Sequence, residues 1–220
     1  MTNDNLPPDF WRPRRCFREP IPEIAQAAEL LSRAVDAHLK SDTARAEKLF
    51  AEANMPAVRD WTESLWGSAK NHPDQPHYLR FREVPGAPPV TRQRERMPPR
   101  PDLRQILIDQ GQHCRFCGIP LVGRWVRAAI TAAYPHAAPW GSSNAGQHAA
   151  LQCMWLQFDH LVPWSRGGDN RPDNIVVTCA PCNYGRQSRL LAECGLLDPR
   201  DFPPIRSDWD GLERFPHNPF

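Results

Sequence analysis

Apolar residues in the first part of the chain recur at three- and four-residue steps. Ile24, Ala28, Leu31, Val35 and Leu39 fall on one stripe, which predicts an amphipathic helix over 23–40. Ser41 and Asp42 offer capping oxygens for a second helix that keeps the period through Ala46, Leu49, Phe50 and Ala53, so the two should form an antiparallel hairpin. A third helix is predicted over 55–67, with Val58, Trp61 and Leu65 on one face and Gly67 as its stop. Ahead of them, prolines at 7, 8, 13, 20 and 22 predict an extended arm over 1–21.

The pattern then dissolves. Residues 71–101 are Pro-rich and permit a strand only around 78–84. Leu103, Ile106 and Leu107 predict a short helix over 102–110 stopped at Gly111, and 121–134 predicts another, followed by a loop over 135–147. From there the apolar residues come in short continuous runs. LQCMWLQF over 151–158 and NIVVT over 174–178 predict strands, and 180–194 predicts a helix ended by Gly195. Trp209, Leu212 and Phe215 should wrap the tail back onto the core. The class is α+β, with an arm and small helical domain over 1–70, a connector over 71–101 and a mixed domain over 102–220.

Composition narrows the setting. The 220 residues are 40% hydrophobic, enough for real cores, yet no apolar run approaches the roughly 20 residues that span a bilayer. The first residues lack the apolar stretch of a signal peptide, so a cytoplasmic protein with no membrane partner is expected. A net charge of +2 does not by itself point to nucleic acid. Distribution says more: lysine occurs only at 40, 48 and 70, and every later permanent cation is arginine, whose planar fork matches phosphate. Arg80, Arg82, Arg92, Arg94, Arg96 and Arg100 crowd the connector against Asp74, Glu83 and Glu95, as in a linker that tracks a phosphate backbone or one that is simply solvated. His72 and His77, with no cysteine nearby, read as solvated.

Seven cysteines fit a disulfide framework poorly. Cys114-x2-Cys117 and Cys179-x2-Cys182 each have the spacing by which two thiolates grip one side of a tetrahedral zinc, and together they make one closed structural site. Cys16, Cys153 and Cys194 remain as ordinary small residues.

Between the cysteine pairs stands DHLVPWSRGGDNRPDNIVVT, followed by CAPCNYGR. An adjacent acid and histidine supply a hard-cation ligand and an imidazole that takes a proton near neutral pH, and their side chains should diverge at a strand's end. Gly167 and Gly168 let the following loop fold tightly beside His160. This arrangement resembles the ββα-metal core of the HNH endonuclease family, in the four-cysteine form whose last letter is asparagine, over about 111–195. The resemblance implies a metal-dependent hydrolase of phosphodiester bonds in DNA, with RNA left open. His160 would be the general base, Asn174 (or, second, Asn170) would hold the loop, and Asp159 and Asn183 would bind one catalytic Mg2+ or Mn2+. Structural Zn2+ would sit on Cys114, Cys117, Cys179 and Cys182, and Arg166 and Arg186 would hold phosphate. It further implies nicking from the minor groove with low sequence specificity, leaving a 5′ phosphate and a 3′ hydroxyl.

The insert at about 119–150 is longer than the family's usual connector and would serve as lid, docking surface or packing. The first hundred residues fall outside the resemblance. Their helices would dock a protein partner, touch DNA or cover the nuclease core. A partner would suit an effector subunit of a phage-defence or mobile-element system. A zinc-stapled nucleic-acid-binding module without catalysis is the alternative, which the retention of Asp159 and His160 disfavours.

Overall fold

Pro22 and Pro56 each open a helix, since a proline in the first turn gives up an N–H that would have no partner there. The computed structural model describes residues 12–66 and 95–216. Within them α1 (Pro22–Leu39), α2 (Thr43–Glu52) and α3 (Pro56–Leu65) follow the predicted stripes. Asp42 caps α2 by accepting from the Arg45 N–H at 3.1 Å. Gly67, the strand expected over 78–84, His72, His77 and connector residues Arg80, Arg82, Arg92 and Arg94 lie outside the described residues.

α4 (Arg100–Gln110) stops where Gly111 takes φ +77, and α5 (Arg124–Ala133) follows. Two expectations are corrected beyond this point. The run LQCMWLQF is not one strand: α6 (Ala149–Cys153) occupies its first half, and β1 (Leu156–His160) begins later and runs through the acid and histidine. A continuous apolar run suits a buried helix and a buried strand equally, and His148, whose ring accepts from the Leu151 N–H, tips the first half to helix. The helix expected over 180–194 is likewise broken. α7 (Ala180–Arg186) ends as Gln187 turns to φ +58, and α8 (Leu191–Cys194) restarts on the Glu193 carboxylate, which accepts from the Leu190 N–H.

β1 pairs antiparallel with β2 (Ile175–Cys179), with Leu156 opposite Cys179 and His160 opposite Ile175. The other edge of β2 is closed by a side chain. Gln110 donates to the Ile175 carbonyl at 2.8 Å and accepts from the Val177 N–H at 3.0 Å, standing in for a third strand.

A single hydrophobic cluster runs from Cys16 through α1–α3 and the sheet to Phe215, giving the α+β class. α3 packs on α6 and α7. Arg59 donates to the carbonyls of Asn144 and Gln147, and Asn54 accepts from the Ala149 N–H, so much of the 119–150 insert is packing that ties α3 to α6. The tail does wrap back: Phe215 stacks on His38 at 4.4 Å, and the Trp209 indole donates to the Leu121 carbonyl. Among the described residues no helix is long and apolar enough to cross a membrane.

Candidate functional site

The zinc-binding pattern closes in space. The sulfurs of Cys114, Cys117, Cys179 and Cys182 lie within 4.8 Å of one another, and Cys117 and Cys179 approach to 3.5 Å. A tetrahedron with bonds of about 2.3 Å has edges of about 3.8 Å, so the cluster is of the size that one zinc needs. Backbone chemistry places them. Gly118, at φ +78, lets its N–H reach the Cys114 carbonyl, and the Arg115 N–H donates to Val177, fastening the first pair to β2 beside Cys179. Cys179 caps α7, with Cys182 in its first turn. Against burial, hydrogen bonds from Cys117, Cys179, Cys182 and Thr178 hold the Cys114 thiol well below the ordinary range, whereas Cys179 and Cys182 are pushed well above it. Four clustered sulfurs, those of Cys114, Cys179 and Cys182 buried, cannot all ionise without a cation among them, a charge that zinc would supply.

β1 ends by sending its last two side chains apart. Asp159 turns towards α7, where Arg186 grips its Oδ2 through Nε at 3.0 Å and Nη2 at 2.6 Å. Burial pushes the Asp159 carboxyl above its ordinary value, while Arg186 and the His160 backbone N–H pull it back, and Oδ2 is committed to the guanidinium. His160 turns towards the 161–174 loop, where its Nε2 lies 2.9 Å from Asn170 Oδ1. The Asn170 amide is oriented from its other end, since Nδ2 donates to the Glu95 carbonyl. An amide oxygen only accepts, so in this contact His160 Nε2 donates and Nδ1 is the ring's other nitrogen.

Asn174 organises the loop itself. Its Oδ1 accepts from the Val162 N–H at 2.9 Å, while Nδ2 donates to the carbonyls of Val162 and Asp169. One side chain thus bridges the start and end of the loop that carries Asn170. Gly168 is required by the same closure: a β-carbon there would stand 1.7 Å from the Val162 carbonyl oxygen.

Asn183, on α7, donates through Nδ2 to Gln157 at 3.4 Å, which leaves its carbonyl oxygen for a cation. Asp159, His160 and Asn183 line one cleft of about 790 Å3. Neither arginine expected on phosphate lines that cleft. Arg166 is half-buried in an ion pair with Glu193 at 3.0 Å. Arg186 is a correction, because it is fully buried and every guanidinium N–H is spent. Besides Asp159, Nη2 meets the His160 carbonyl, and Nη1 takes the carbonyls of Leu161 and Arg189. It staples the end of β1 to the end of α7, so phosphate cannot reach it.

Sequence reasoning placed Asn170 second and gave it a loop role, missing its contact with the imidazole. The signal was its ten-residue separation from His160 across a glycine-rich turn.

The model of the HNH endonuclease family matches residues 146–189, the span from α6 through β1, the loop and β2 to the end of α7. The four-cysteine cluster, whose first half lies outside that span, fits a zinc-stapled variant. No curated protein and no solved structure matches the chain.

Proposed function

We propose that the protein is a metal-dependent endonuclease that hydrolyses phosphodiester bonds in DNA. The observation that carries this reading is the convergence of Asp159, His160 and Asn183 on one cleft, with the His160 ring turned by Asn170 so that Nδ1 is its base. Asp159 Oδ1 and Asn183 Oδ1 are oxygen donors suited to Mg2+ or Mn2+. Bound there, such an ion neutralises charge on the phosphate and on the departing oxygen.

His160 takes a proton from a water as that water attacks phosphorus in line, and the bond from phosphorus to the 3′ oxygen breaks. The products are a 5′ phosphate and, after protonation from solvent, a 3′ hydroxyl. Arg186 contributes by fixing Asp159, and Asn174 by fixing the loop. The zinc cluster is scaffold.

Incubation of supercoiled plasmid with the full chain and Mg2+ or Mn2+ tests the reading. Nicked plasmid is expected from the natural protein, with none from His160→Ala or in EDTA. Equal cutting by His160→Ala would remove the base assignment.

A further inference from the structure

Away from His160 the cleft wall is aromatic. Trp66 and Tyr184 meet edge to face at 4.9 Å, and Trp155 stands 6.4 Å from Tyr184. Arg127 braces Trp155 from behind, its guanidinium held between that ring at 4.3 Å and Trp140 at 3.7 Å. Tyr184 is 42% exposed, so the wall opens to solvent.

Beside the rings lies neutral amide chemistry. Gln152, 1% exposed, donates through Nε2 to Asn144 and Gln147, and its Oε1 has no protein partner. The indole N–H of Trp66, also on this wall, has none either. Both atoms are buried beneath the wall rather than exposed on it, so the surface a ligand meets is that of the ring faces.

A site that grips only phosphate presents cations and backbone N–H groups. This wall presents π-faces and neutral amides, the chemistry that receives a nucleobase, with Arg96 on the same cleft to meet phosphate. The cleft, of about 790 Å3, has room for a base beside a phosphate group and an ion.

Resting on the nuclease reading, we propose that the cleft seats an unstacked nucleobase beside the phosphate presented to His160, so that the substrate is a strand locally unpaired at the cut. A base inside continuous duplex cannot reach such a wall without leaving the stack, whereas a single strand offers its faces freely. This departs from the minor-groove duplex contact that family resemblance implies.

Fluorescence anisotropy of His160→Ala, zinc-loaded and without added divalent cation, would measure binding to a labelled single strand of about 16 nucleotides and to the same strand fully paired. The single strand should bind at least about tenfold tighter. On that background Tyr184→Ala should cost about tenfold for the single strand alone, the size of one lost stacking contact, and Tyr184→Phe should restore it. Equal affinity for the two forms, or a Tyr184→Ala effect that is absent or shared by both, overturns the inference. Plasmid cutting judges the nuclease reading separately. A protein that nicks but binds both forms alike keeps the nuclease and loses the base pocket; one that prefers single strands through Tyr184 but cuts nothing keeps the pocket and loses catalysis.

Discussion

Asn170 meets His160 Nε2 and, in the proposed reaction, would fix which ring nitrogen serves as the base. Its Oδ1 holds the Nε2 proton, and Glu95 holds its amide from behind. Asn170→Ala would leave the ring free to rotate and to exchange tautomers. Because small misplacements of a reacting group can cost about a hundredfold, kcat is expected to fall by up to that factor with KM nearly unchanged. Asn170→Asp keeps an acceptor facing Nε2 and should recover part of the rate. Steady-state cleavage of a labelled strand separates the two constants, and a rise in KM at constant kcat would assign Asn170 to binding instead. Arg186 carries the complementary lesson. Sequence identifies a cation one turn beyond Asn183, and only burial reveals that its five donors are consumed at Asp159, His160, Leu161 and Arg189.

At the scale of elements, legibility followed how local the determinant was. α1, α2 and α3 were readable because stripe, proline and cap are encoded within a few residues of each helix. The four-cysteine cluster was readable because metal geometry restricts ligand spacing. The division of LQCMWLQF into α6 and β1 was not, since it depends on a distant group: the His148 ring caps α6 through Leu151 and bonds the Phe50 carbonyl of α2 at 2.8 Å. The break after α7 was hidden for the same reason, as Arg189 turns back to a guanidinium whose burial depends on β1. His148 yields a prediction. Burial holds it at about 4, below the ordinary 6.5, so between those values the unfolded chain takes up a proton that the folded chain refuses. Stability is therefore full above pH 6.5 and falls as pH drops towards 4, by about 2 kcal/mol between pH 7 and pH 5. Urea titrations of the natural protein and His148→Gln at both pH values should differ by that amount, with zinc-thiolate protonation cancelling in the comparison. Parallel losses in the two proteins would show that His148 is not responsible.

Across the whole molecule, the zinc cluster and the N-terminal helices belong to one packing problem. Cys117 and Cys179, 62 residues apart in sequence, meet at 3.5 Å, so a zinc bound there would close a long loop and fasten the 114–118 turn to β2 and α7. α7 in turn packs on α3, α3 on α6, and one buried cluster continues into α1 and α2. An interior packed this closely transmits a local loss rather than absorbing it. Metal analysis should give one zinc per chain, and a chelator strong enough to take it should cost on the order of 10 kcal/mol, the scale of structural zinc sites and of a whole domain's stability. The chain should then unfold as a unit. Far-UV circular dichroism, to which α1–α3 contribute about half of the described helical residues, and tryptophan fluorescence, to which Trp61 of α3 and the cleft residues Trp66 and Trp155 contribute, should be lost at the same chelator concentration. If the helical signal persists after the tryptophan signal has gone, the helices form an independent domain and their contact with α6 and α7 is a docking surface rather than shared core.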